Sequence, residues 1–492
     1  MPDWPLADDA DGIAGLRDVL VRAGYDAERI QEAVGERSGF VRDPADVPLY
    51  VRRLEPGSPL STLIKLFLLD VSAPREEVEA AVAPLGVDRL ERMGVLRTES
   101  DGVAATLTLL PSGDLLIASD QYRGAGTPRP DHVLGLSVST RVLAALTVRR
   151  PVESALDIGT GSGVHALAAA QHSGRVVAVD INPRALRFGE FNAALNGVAN
   201  VEFREGSVFD PVVGERFDLI VSNPPYVVSP EAEFAYRDSG LPGDSFSEGL
   251  VRRLPEFLTE GGLGHVLVEW VHRADEHWSL APRRWVETAG CDALILHYGS
   301  SDPLTYAGIW NAELRGDPAA FESALDRWVD YDRRLGIERI AWGGIALRRR
   351  AGRNWAKAIS PGVSRIGPAG EHLERLLAAQ DFLASLNAEK GLLDGVFALP
   401  DDHRFDQTFT LSGGEGVLER SALRLEGGLR TECELDPFSV RIVALLDGRR
   451  PLRELMTEAA AEAPGSPELD EFAVQTLPTV AQLLELGLIV PR

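Results

Sequence analysis

The sequence predicts an α/β fold built on a Rossmann-like sheet of seven strands, flanked by N- and C-terminal winged-helix-like α+β modules. Three observations carry that expectation. Strand-like and helix-like segments alternate from residue 143 to residue 347, as a parallel sheet with crossover helices requires. A glycine-rich loop stands directly after the first of those strands, and an Asn-Pro-Pro-Tyr sequence directly after a later one. Helix and hairpin signals recur on both sides of the alternating region.

Taken in order, Ile13, Leu16, Leu20, Val21 and Ile30 recur at near-helical spacing, which reads as one or two amphipathic helices. Helix signals at residues 60–69, at 72–77 with a Ser N-cap and acids in the first turn, and at 87–93 precede strand runs at 94–98, 103–110 and 115–118. Three helices and a hairpin suggest a winged helix. The expected sheet strands are 154–158, 176–180, 201–204, 219–222, 265–270, 293–297 and 340–347. The Pro/Gly-rich stretch 360–370 reads as a domain boundary. In the tail, helices at 437–446, at 452–461 and from 477 onward lead to a terminal strand. Leu484-Glu485-Leu486-Gly487-Leu488 there parallels Leu90-Glu91-Arg92-Met93-Gly94-Val95, a helix closed by glycine before a strand in both places. The domain limits read as 1–125, 126–358 and 370–492.

Composition bounds the function classes. At roughly 150 residues per domain, 492 residues allow about three domains, each with its own core. Hydrophobic residues at 45% and charged residues at 25% match a folded globular chain. Only Cys291 and Cys433 are present, without ligand clusters beside them, which argues against a disulfide framework or a metal site. The acidic start has no apolar signal segment and no apolar run reaches membrane-spanning length, so a cytoplasmic protein without membrane contact is expected. A formal net charge of −24 disfavours nucleic-acid phosphates unless a local basic patch reverses the field. The one dense basic run, from Arg348 to Lys357, has Trp355 inside it; it suits RNA or, as the preferred reading, a solvated exit from the last strand.

Leu156-Asp157-Ile158-Gly159-Thr160-Gly161-Ser162-Gly163 follows a strand and opens a helix. Glycines there let backbone approach a nucleotide-like ligand, which makes Gly159, Thr160, Gly161 and Gly163 candidate contacts. Asp180 ends the next strand, where a carboxylate can take ribose hydroxyls, with Ile181 beside it. The loop reads G-x-G-x-G where a dinucleotide dehydrogenase needs G-x-G-x-x-G, and Asp157 beside it would repel a pyrophosphate. Asp157 suits instead a ligand's amino group or cationic centre.

In Asn223-Pro224-Pro225-Tyr226 the prolines stiffen the loop, so the Asn223 side-chain oxygen and the Pro224 carbonyl can meet at one point. Two such oxygens accept both hydrogens of an amide or exocyclic NH₂ and aim its lone pair, with carbonyl dipoles stabilising the developing positive charge. Tyr226 is expected to stack on the planar acceptor. His132, in the segment expected to close the site, reads as a turn residue rather than a base, and Glu269-Trp270 at a strand end as a substrate contact or as packing.

With these residues quoted, residues 126–350 resemble the HemK-type branch of class I methyltransferases, which methylate glutamine side-chain amides in translation release factors. The segments LDIGTGSG, VVAVDINPRAL, FREGSVFDP and NPPYVVSP stand in that family's order. The resemblance implies S-adenosyl-L-methionine as cofactor, held at Gly159, Gly161, Asp180, Ser207, Val208 and Asn223, with Ser207 and Val208 beside the adenine. It implies a protein glutamine acceptor first. Enzymes acting on adenine N6 or guanine N2 share the NPPY core, so an RNA or DNA base is the alternative, and a small-molecule acceptor of specialised metabolism is the third.

Overall fold

The computed structural model describes residues 4–35, 44–121, 129–273, 275–361, 367–386, 389–412, 415–463 and 468–492. The chain forms two compact units, one of residues 1–143 and 150–359, the other of residues 144–149 and 360–492. The expected boundary stretch 360–370 lies partly outside the described residues.

The first unit is organised by an eight-stranded sheet: β1 (Val152–Ile158), β2 (Ser173–Asp180), β3 (Val201–Glu205), β4 (Phe217–Ser222), β5 (Leu258–His272), β6 (Cys291–Ser301), β7 (Arg339–Arg349) and β8 (Ala356–Ile359). Their order is β8-β6-β7-β5-β4-β1-β2-β3, with β7 antiparallel to both neighbours and every other pairing parallel. This is the expected α/β Rossmann-like class with one strand more than the seven foreseen. The added β8 pairs Ala356–Ile359 with Ala293 to Leu296 of β6. Four residues that overlap the end of the basic run carry no strand pattern of their own; only the open edge of β6 makes them one.

Sheet order reverses at β1, whose neighbours are β2 on one side and β4 on the other. Crossovers leaving this point in opposite directions open a crevice at the carboxyl ends of β1 and β4. The glycine loop and the NPPY sequence begin at those two ends.

The N-terminal helices and hairpins belong to the same unit. Leu16, Leu20, Phe67 and Leu90 share a core with Phe188, Phe191 and Leu195 of the helix Pro183–Asn196, which covers the sheet. The predicted run 103–110 is two strands, Gly102–Ala105 and Leu107–Ser112. They part at Thr106, whose N–H donates to the Val95 carbonyl at 3.0 Å, and the chain then changes partner from Leu96–Glu99 to Leu115–Asp120. Three helices, Pro59–Phe67, Arg75–Val82 and Val87–Arg92, precede the first of these hairpins.

Along Leu115–Asp120 the free edge meets side chains instead of a strand. Asn192 accepts from Ala118 N–H at 2.8 Å and donates to its carbonyl at 2.9 Å; one turn on, Asn196 does the same to Leu116 at 2.9 and 2.7 Å. Two side-chain amides at i and i+4 therefore satisfy backbone groups at i and i+2 of a strand.

In the second unit the helices Gly370–Ser385, Pro437–Leu445, Leu452–Glu462 and Leu469–Glu485 accompany a three-stranded sheet of His403–Ser412, Glu415–Leu425 and Glu432–Glu434. That hairpin has no counterpart in the sequence reading, and the last helix starts eight residues before the expected 477. The anticipated internal parallel is present. Gly94 (φ 72°) and Gly487 (φ 67°) both end helices, and Val95 N–H to Leu90 O and Leu488 N–H to Leu483 O close the same six-to-one turn at 2.9 Å. No helix among the described residues is long and apolar enough to cross a membrane.

Candidate active site

At the end of β1 the chain turns through Gly159, Gly161 and Gly163, all at positive φ, into the helix Val164–Ala170. The glycines serve different ends. A Cβ on Gly163 would lie 3.2 Å from Gly189 Cα, so this glycine lets two helices approach. A Cβ on Gly161 would meet nothing within 4 Å, because its face opens on a cavity of about 300 Å³.

Two carboxyls hold this loop. Asp180, at the end of β2, accepts from Gly161 N–H at 2.8 Å and from Asn182 N–H at 2.9 Å. Burial raises its carboxyl above the usual range, against those two bonds, and it lines the cavity. Asp157 does not. Only 1% exposed, it lies under the loop, accepting from the Thr160 hydroxyl at 2.6 Å and from Ala166 N–H at 3.0 Å, while its other oxygen has no hydrogen-bond partner among the described residues. Burial pushes it up to about 7. The expected contact between Asp157 and a ligand is therefore replaced by a supporting role, since both atoms it accepts from belong to the loop and to the helix that follows.

Of the other predicted residues, Gly159, Thr160, Ile181, Ser207 and Val208 line the cavity, as do Asn223, Pro224 and Pro225. Gly163 and Tyr226 do not. The Asn223 amide nitrogen donates to the Ser139 hydroxyl at 3.1 Å, which leaves its oxygen as the group available to an acceptor. The Pro224 carbonyl already accepts from Tyr226 N–H at 2.8 Å, so one of its two lone pairs remains. Tyr226 packs with Val227, Val228, Tyr306 and Trp328 rather than over the cavity. Burial and the neighbouring Glu269 carboxyl push its phenol upward. The aromatic rings on the cavity wall include those of Tyr236 and Phe246.

Glu269 sits behind the loop, 5% exposed, and accepts from the Tyr306 hydroxyl. Burial pushes its carboxyl up to about 8, opposed by that bond. Trp270 is packing: it is fully buried, and its indole donates to the Trp278 carbonyl at 2.7 Å.

The roof is where sequence reasoning was least complete. His132 to Gly135 line the cavity, as expected of a closing segment. What anchors them was not foreseen: Asp120 pairs with Arg184, both sequestered from solvent, and also accepts from Val133 N–H at 2.9 Å. Asn182 donates to the Asp131 carbonyl at 2.9 Å, and Ala235 N–H to that of Pro130 at 3.0 Å. His132 stands edge-on to Tyr236 at 5.9 Å, its imidazole lowered by burial. Asp120 and Arg184 are 64 residues apart, and no local pattern links them.

The basic run lies elsewhere. Arg348 bonds Asp292 at 2.6 and 3.1 Å, Arg350 bonds it at 3.2 Å, and Arg349 donates to the carbonyls of Pro255 and Leu258 at 2.6 and 3.1 Å. In register, Arg348 stands opposite Leu263, whereas Trp342 stands opposite Glu269 beside the NPPY loop. Six strand residues, about 20 Å, separate the run from the site. Among the described residues no group of three His, Cys, Asp or Glu side chains is placed to hold a metal ion.

Residues 151–248 match the family model of a methyltransferase domain, and residues 22–106 match a domain of unknown function, DUF7059. The first is a class I S-adenosyl-L-methionine-dependent methyltransferase domain. A release factor glutamine methyltransferase of Geobacter sulfurreducens is 38% identical over 138 residues, covering 25% of this chain and 48% of that protein. A ribosomal protein uL3 glutamine methyltransferase of Bradyrhizobium diazoefficiens is 32% identical over 165 residues, covering 31% and 52%. A ribosomal protein L11 methyltransferase of Pelotomaculum thermopropionicum is 42% identical over 115 residues, covering 23% and 35%. The chain spans about half or less of the length of these relatives.

Proposed function

We propose that this protein is an N-methyltransferase acting on a planar nitrogen of a macromolecule, with a protein glutamine amide as the favoured acceptor. The observation that carries the proposal is the Asn223 side chain: Ser139 orients it, and it lines the same cavity as Asp180 and the glycine loop. The cavity fits the cofactor, because Gly161 leaves its face open and Asp180 offers a carboxylate to a diol. Gly159, Thr160, Gly161, Asp180, Ile181, Ser207 and Val208 would hold S-adenosyl-L-methionine, which supplies an electrophilic methyl group when bound.

The chain's own residues position the acceptor. The Asn223 oxygen and the remaining lone pair of the Pro224 carbonyl each accept one hydrogen of an NH₂ group. That draws the nitrogen out of conjugation and directs its lone pair into the cavity. The same dipoles stabilise positive charge as it develops on nitrogen, so no side-chain base is required at that step. Tyr236 and His132 exclude water from above.

A protein acceptor is favoured over a nucleic acid by charge. Among the described residues the cavity wall carries Asp180 and Asp238 and no lysine or arginine, and the one basic run is about 20 Å away and bonded within its own sheet. The relatives named for glutamine acceptors lean the same way. Transfer of labelled methyl from S-adenosyl-L-methionine into a lysate fractionated into protein, RNA and small molecules tests this, with Asn223→Ala as control. Label in protein that the variant abolishes is expected; label in RNA or in small molecules overturns the acceptor assignment.

A further inference from the structure

We propose that Glu269 and Tyr306 form a positioning pair that clamps the loop 223–226, acting through the backbone of Val227 and Val228. The inference rests on the reading of that loop as the acceptor-binding element.

The loop needs such a clamp. Pro224 and Pro225 have no N–H to donate, so between the Asn223 side chain held on Ser139 and Tyr226 the backbone offers no donor. Tyr226 N–H turns back to the Pro224 carbonyl, which stiffens the loop without fastening it to the scaffold. On the far side of the prolines the backbone is fastened by Val228 N–H, which donates to the Tyr306 hydroxyl at 3.0 Å. Tyr306 in turn donates to Glu269, so its hydroxyl is held from both sides. Glu269 belongs to β5 and stands opposite Trp342 of β7, in the interior of the sheet.

The next link reaches the roof. Val227 bridges to Asp238, and Asp238 lines the cavity together with Tyr236. One anchored dipeptide therefore sets both the loop beneath the acceptor and the segment above it. Neither Glu269 nor Tyr306 lines the cavity, so the pair acts through other residues. A buried carboxyl at this point of a strand costs desolvation that an apolar side chain would avoid. Holding the Tyr306 hydroxyl in one orientation gives it a task, and the upward shift of its carboxyl to about 8 agrees with a neutral group hydrogen-bonded in place.

Tyr306→Phe removes the shared hydroxyl and keeps the ring that packs 6.3 Å from Trp310 and 6.1 Å from Trp328. With labelled S-adenosyl-L-methionine and the acceptor fraction, kcat is expected to fall at least tenfold while the calorimetric Kd of the cofactor stays within twofold. Glu269→Ala is expected to do the same, and Glu269→Gln, which still accepts from Tyr306, to restore most of the turnover. Amide hydrogen exchange gives a readout without turnover: residues 226–229 should exchange at least tenfold faster in Tyr306→Phe and Glu269→Ala, with residues 159–163 unchanged. Wild-type exchange and turnover in Tyr306→Phe would overturn the clamp, as would a parallel loss of kcat and cofactor affinity. Should the wild type label no acceptor at all, the acceptor-loop reading falls, and the exchange measurement alone decides for or against the clamp.

Discussion

Replacing Asn192 by alanine is the sharpest test of how the cavity is built. The side chain is fully buried and makes three hydrogen bonds, two to Ala118 and one to the Ser162 carbonyl at 2.8 Å. It thus joins the free edge of Leu115–Asp120 to the glycine loop. Three bonds at about 1 kcal/mol each set a floor near 3 kcal/mol, and the stranded Ala118 and Ser162 groups bring the expected loss to about 3–5 kcal/mol. That is a large share of the ~5–15 kcal/mol that holds a typical domain folded. Asn196→Ala is the internal control: it also loses its bonds to Leu116, but it is only half-buried and water replaces part of them, so about 1–2 kcal/mol is expected. All eight tryptophans of the sequence fall within the first unit, so urea unfolding followed by tryptophan fluorescence reports on that unit alone. An Asn192→Ala loss under about 1 kcal/mol, or no greater than that of Asn196→Ala, would refute the reasoning.

Other outcomes follow from the same geometry. Asp157 titrates near 7 in the folded protein, above its ordinary 3.8, so the stability it contributes is full below about 4 and is lost as pH rises through 7. Asp157→Asn should therefore gain melting temperature relative to wild type from pH 4 to 8; a constant difference across that range would remove the buried acid. Gly161→Ala should cost about 1–2 kcal/mol from its backbone conformation alone, and Gly163→Ala more, because its new methyl also meets Gly189; equal costs would contradict the packing role of Gly163. Asp180→Ala should weaken cofactor binding by at least about 1.5–3 kcal/mol, since it removes the proposed ribose partner and releases Gly161 N–H; unchanged calorimetric affinity would take it out of the site. Asn223→Ala should abolish most turnover and leave cofactor affinity nearly intact, and retained turnover would end its assigned role.

What the sequence determined by itself is what depends on residues close together in the chain. The glycine loop, Asp180 and the NPPY sequence are each a few residues at the end of an apolar strand. Their backbone demands, positive φ at Gly161 or missing donors at Pro224 and Pro225, are properties of single residues. The same holds for the helix closed at Gly94 and again at Gly487. Tertiary structure alone decided which carboxyl faces the cavity and which lies under the loop, because Asp157 and Asp180 differ in burial and not in kind. It decided that Tyr226 packs behind the loop while Tyr236 takes the wall, and that Ala356–Ile359 becomes a strand because β6 offers an edge. Above all it decided the pairings Asp120 with Arg184, Glu269 with Tyr306 and Asn192 with Ala118, which join residues 37 to 74 positions apart. Hydrogen bonds of that span leave no periodicity in the chain, and the fold creates them by bringing buried polar groups where only one another can satisfy them.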